Sequence, residues 1–255
     1  MTLSENTGET GKGPIRFPYA IEPMFWGTGE MLVWEFEQLL PEIDRSAMFS
    51  ELVSGETGGP IQRDEFEAIA DDVSRMLAED AVQEGPRGFY SFFPVFPEKE
   101  SLVVLDPSDF HSELLTLSFS DHRSVDGHPL IDFFRPDGDV IAFSTFATGI
   151  LTSSTRFSAD GKSAVAAIYT AFNRHIRALI EERINGEIRR AMGIETGTGR
   201  SFSFPPAAAV TKQVFARLAE LLSIEERLDI ISDKDIIDEE YPAIVRFFVH
   251  HPAVA

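Results

Sequence analysis

Gly88-Phe89-Tyr90-Ser91-Phe92-Phe93-Pro94 is an aromatic run opened by a glycine and closed by a proline. Such a segment exposes several large rings unless they pack, so it reads as a buried extended segment. It heads a series of short β-branched or aromatic runs, at residues 89–95, 102–106, 114–119, 130–134 and 140–146, separated by Pro, Gly and Asp turns. Asp137-Gly138 is a hairpin-type signal between the last two. Strands this close together, without helices between them, pair mainly antiparallel. A second stretch of the same kind, Arg200-Ser201-Phe202-Ser203-Phe204-Pro205-Pro206, closes a Gly- and Ser-rich segment over 194–206 that reads as a loop.

Helical patterns flank the strand block. A short helix is expected over 35–40, closed by Pro41, and another from Asp44, whose carboxylate can accept the free N–H groups of Ser46 or Ala47. Residues 62–82 carry Phe66, Ile69, Val73, Met76 and Leu77 at helical spacing with acids between them. The longest pattern, over 161–192, sets Val165, Ile168, Phe172, Ile176, Ile180, Ile184 and Ile188 in one stripe and stops at Gly193. A further helix over 210–222 and a final strand over 243–250 follow. The expectation is a flexible tail over 1–14 and one α+β domain over 15–255, a mainly antiparallel central sheet flanked by helices.

Composition bounds the function. Lys+Arg number 22 against 42 Asp+Glu, a formal charge of −20, which repels nucleic acid and anionic lipid surfaces and suits a cationic ligand or a basic partner. The chain has no cysteine, which excludes disulfides, thiolate metal sites and a cysteine nucleophile and fits a cytoplasmic setting. No window has the roughly 18–20 apolar residues of a membrane helix. Gly8-Glu9-Thr10-Gly11-Lys12-Gly13 lacks the glycine spacing and the final Ser/Thr of a phosphate loop. His250 and His251 are adjacent on an expected strand and point to opposite faces, so they read as strand-end packing rather than metal ligands. Asp121, His122, Asp126 and His128 read as a polar turn. Spacing alone identifies no reaction and no catalytic residue.

The order of the motifs carries a resemblance. Phe25-Trp26-Gly27-Thr28, then Leu39-Leu40-Pro41-Glu42-Ile43-Asp44-Arg45-Ser46-Ala47-Met48-Phe49, resemble the start of the activation (reactivation) domain of cobalamin-dependent methionine synthase. The helix running into residues 88–94, the strand over 139–149 ending in Thr148-Gly149, the long helix to Gly193, the Arg200 segment and His251-Pro252-Ala253 follow in the same order. The resemblance spans about Pro23 to Ala253. It implies a curved α+β unit that binds S-adenosylmethionine (AdoMet) and offers its methyl group for reductive methylation of cobalamin.

The resemblance implies that Asp44 meets the amino end of AdoMet and Arg200 its carboxylate. Phe204 stands where the family has a tyrosine, with Ser203 and Pro205 beside it. Cobalamin would come only through a partner, a separate corrinoid-binding methyltransferase, with a reductant protein as a further partner and a standing as accessory component rather than as a complete enzyme. The sequence departs from the family at its Gly-Tyr-Pro-Ala-Cys-Pro-Asp, here residues 203–209, at Ser91, which replaces the second glycine of the strand motif, and at Val95-Phe96. Those losses keep two alternatives open: a non-catalytic scaffold subunit of a corrinoid methyltransferase complex with a degenerate AdoMet site, or a pocket retuned for another small metabolite.

Overall fold

The aromatic run becomes the middle of the longest strand in a seven-stranded antiparallel sheet. The computed structural model describes residues 22–27, 29–54, 61–80, 85–118, 127, 129–148, 164–194, 200–204 and 243–251, the last two segments by their backbone. In chain order the elements are β1 (Glu30–Val33), α1 (Phe36–Leu39), a 3-10 turn (Leu40–Glu42), α2 (Arg45–Ser54), α3 (Arg63–Asp80), β2 (Arg87–Glu98), β3 (Ser101–Leu105), β4 (Glu113–Ser118), a second 3-10 turn (Leu130–Phe133), β5 (Asp139–Ala147), α4 (Ala164–Ala191), β6 (Arg200–Phe204) and β7 (Ala243–His251). The sheet order is β4-β3-β2-β5-β7-β6, with β1 also on β2. The α+β class and the mainly antiparallel sheet are as the sequence indicates.

β2 is flanked along its length by β5, from Arg87↔Ala147 to Val95↔Asp139. Its other edge is shared: β1 pairs with its start, Met31↔Phe89, and β3 with its end, Val95↔Val104. Between the two, the Phe92 carbonyl accepts the Gly27 N–H at 3.0 Å. The Phe25 ring packs on Tyr90 and Phe92, with centroids 5.7 and 5.2 Å away, whereas Gly29 lies against Phe89. Successive strand residues face opposite sides. Phe25 therefore sits on the helical face, Gly27 meets the β2 edge in the gap between β1 and β3, and Gly29 faces the other side. Gly29 allows this close approach, since a Cβ there would stand 1.5 Å from Phe89 Cζ.

One face carries Tyr90, Phe92, Val140, Ala142 and Phe146 into a core shared with α1 to α4. The stripe of α4 supplies Ile168, Phe172, Ile176, Ile180, Ile184 and Ile188, all fully buried. The helix ends because Gly193, at φ +65°, donates to the Arg190 carbonyl while Ile194 donates to that of Arg189, the paired bonds of a Schellman cap. The opposite face carries Phe89, Phe93, Val95, Ile141 and Phe143, which are also buried. A sheet buried on both faces explains why the β2 run is apolar on both sides, Ser91 excepted, rather than alternating.

Two expectations are corrected, and one strand is new. Residues 130–134 form a 3-10 turn (Leu130–Phe133) and its cap Phe134, not a strand: β5 already has β2 on one edge and β7 on the other, so a hairpin partner across Asp137-Gly138 has nowhere to pair. Within the expected loop over 194–206, residues 200–204 are instead strand β6, paired along β7. β1 was not anticipated; Met31-Leu32-Val33 is too short a run to stand out from its flanks. The expected tail over 1–14 and the helix over 210–222 lie outside the described residues. Among the described helices, none is long and apolar enough to cross a membrane.

Candidate functional site

Asp44 caps α2. Its Oδ1 accepts the N–H groups of Ser46 at 2.9 Å and Ala47 at 3.0 Å. The buried Ile43 before the cap and Met48 after it belong to the same core cluster, so the start of the helix is pinned by an apolar staple as well. Asp44 itself is exposed, and among the described residues its Oδ2 makes no hydrogen bond. One carboxylate oxygen holds the helix; the other is open to a donor.

The surrounding side chains tie this terminus to α3. Arg45 bonds Asp71 at 2.6 Å and Ser74 at 3.1 Å. Arg63 reaches Ser46 Oγ at 3.3 Å, pairs with Glu67 at 2.7 Å, and lies over the Phe49 ring with its Cζ 4.9 Å from the centroid. On the other side Glu42 pairs with Arg183 and Glu51 with Arg174, which lays α2 along α4. Pairs this exposed contribute little stability singly. Their effect is to orient the cap. The sequence reading did not single out Arg63, although an arginine three residues before Phe66 at a helix start was a visible signal.

Arg200, Ser203 and Phe204 lie on β6, at the end of the sheet order beyond β7. The Cα partners are Arg200↔His251, Ser203↔Phe248 and Phe204↔Phe247. Because Phe247 pairs with Phe143 and Phe143 with Ser91, Phe204 and Ser91 share one cross-strand row. Ser203 shares the next row with Phe248, Ala142 and Phe92. Pro205 lies outside the described residues, as do the four Asp and His positions at 121–128.

Two further groups stand out. The Tyr90 hydroxyl donates to Glu30 Oε2 at 2.7 Å, and burial together with that carboxylate pushes its pKa well up. It remains a donor across the neutral range. Asp139, at the start of β5, is 5% exposed and accepts the N–H groups of Val140 at 2.8 Å and Arg135 at 3.2 Å. Burial raises its pKa to about 6 despite those bonds.

No protein-family profile matches this sequence, and no curated protein does. Among solved structures, the crystal structure of the MetH reactivation domain bound to AdoHcy is similar in fold. It matches with a TM-score of 0.63 at 15% identity, over 93% of this chain and 83% of that one. The α+β fold of this chain, with its mainly antiparallel sheet, is thus similar to that of the reactivation domain.

Proposed function

We propose that this chain is an activation-domain-like protein that binds AdoMet and supports reactivation of a cobalamin methyltransferase made as a separate chain. The observation that carries the reading is Asp44: an exposed carboxylate with one oxygen capping α2 and the other open, at the position the resemblance assigns to the ligand's amino end. The reading is supported by a fold similar to that of a reactivation domain solved with AdoHcy. A net charge of −20 favours AdoMet, whose ammonium and sulfonium are cationic, over an anionic ligand.

In this reading Asp44 holds the ammonium and Arg200 takes the carboxylate, for which its planar fork of donors is suited. Arg63 and Arg45 keep the α2 terminus fixed on α3, so that the Asp44 carboxylate is already oriented when ligand arrives. Phe204 supplies the apolar body of an aromatic wall without a hydroxyl. A corrinoid, carried by the partner, would supply the methyl acceptor.

The test is reactivation in trans. A corrinoid methyltransferase with oxidised cobalamin is mixed with AdoMet and a chemical reductant, and return of the methylated cofactor spectrum is followed. The reading predicts a rate that rises with added chain and depends on AdoMet. A rate indifferent to the chain contradicts it. The scaffold alternative rests on the changed segment at 203–209 and predicts co-purification with a methyltransferase that persists without AdoMet.

A further inference from the structure

Ser91 on β2 and Thr145 on β5 are each 0% exposed, and among the described residues neither Ser91 Oγ nor Thr145 Oγ1 has a hydrogen-bond partner. Buried hydroxyls in folded proteins are paired with protein or ordered water almost without exception, because an unpaired one forfeits its hydration for nothing. The flanking positions offer no remedy. Ser91 is the Cα partner of Phe143 and Thr145 that of Phe89, so both hydroxyls sit among fully buried phenylalanines on the face away from α4.

The register makes the two residues diagonal neighbours on one face, with Cβ atoms within roughly 7–8 Å. An atom bonded to both hydroxyls at about 2.8 Å bridges oxygens up to roughly 5–6 Å apart. We propose that Ser91 and Thr145 form a two-hydroxyl cradle for one small polar atom, an oxygen or nitrogen hydrogen-bonded to both. The atom belongs either to an internal water or to a small ligand reaching this face; only the second source rests on the proposed function. Ser91 stands where the resemblance expects glycine, and its row continues to Phe204, so the cradle is a feature of this chain in its own right.

The test uses the full chain with Ser91→Ala, Thr145→Val and both together, reading thermal melting without ligand and calorimetry with AdoHcy and with adenosine. A bridging water predicts that each single change lowers the melting temperature by about 2–4 °C. The double variant then falls no further than the worse single one, because either change already breaks the bridge. A ligand atom predicts unchanged melting and about 5–10-fold weaker binding of AdoHcy or adenosine. Melting that is unchanged or raised with unaltered affinity overturns the cradle, and so do strictly additive losses. If the unaltered chain binds neither AdoHcy nor adenosine, AdoMet binding fails as a reading; the melting series still decides the cradle.

Discussion

Ser91 and Phe204 lie in one cross-strand row, linked through Phe143 of β5 and Phe247 of β7. The two aromatic stretches that stand out in the sequence are thus joined by the sheet, although β3, β4, β5 and α4 separate them along the chain. The joining depends on β7, the last strand, slotting between β5 and β6.

The packing of β2 against α4 should be intolerant at Gly88. A Cβ there would stand 2.7 Å from Ile184 Cδ1 and 2.9 Å from Trp34 Cη2, both in the core. Gly88→Ala is expected to cost about 1–3 kcal/mol in a denaturant titration. Ile184→Val removes the atom in the way, so in the Gly88→Ala background it should recover part of that loss. Strict additivity of the two costs would mean that the contact does not govern the site.

Asp44 has two roles that substitution can separate. Asp44→Ala removes the cap and should cost about 1 kcal/mol of stability. Asp44→Asn keeps a capping oxygen, since asparagine ranks with aspartate at this position. The asparagine variant is therefore expected to melt near the unaltered chain while binding AdoMet more weakly, because it lacks the charge that attracts an ammonium. An asparagine variant with unchanged affinity would remove Asp44 from the ligand site.

Asp139 predicts a pH signature. Its folded pKa of about 6 lies above the roughly 3.9 of an exposed aspartate. The unfolded chain therefore releases this proton first as pH rises. The stabilising contribution is complete below about pH 4 and is lost as pH passes through about 6, an overall change on the order of 2–3 kcal/mol. Asp139→Asn should flatten the stability curve between those limits. A slope in that window equal to that of the unaltered chain would assign it to other groups.

Tyr90→Phe leaves the Glu30 carboxylate without its 2.7 Å donor and is expected to cost about 1 kcal/mol in thermal denaturation. Because Glu30 is exposed, water hydrates the freed carboxylate, and Glu30→Gln in the same chain should change stability little further.

Much of the architecture is legible wherever a local pattern is strong. The isoleucine stripe marks α4, the Asp44 cap marks α2, and the aromatic-rich run at 89–95 marks a strand buried on both faces. What fails is decided by pairing at a distance. Residues 130–134 have strand composition but no open edge on β5, and residues 200–204 look like loop until β7 supplies an edge for them. The bond from Gly27 to Phe92 depends on a gap that exists only once β1 and β3 divide one edge of β2. At the candidate site, Asp44 could be read from its capping position, whereas its support by Arg63 comes from another helix.

Calorimetric titration of AdoHcy and AdoMet into the full chain tests the central claim most directly. The account predicts saturable heat with both ligands, weakened roughly 5–10-fold or more by Asp44→Asn and strengthened by Phe204→Tyr, which puts a hydroxyl where the resemblance has a tyrosine. No heat from either ligand at millimolar concentration, in a chain shown to be folded by its melting transition, would contradict it.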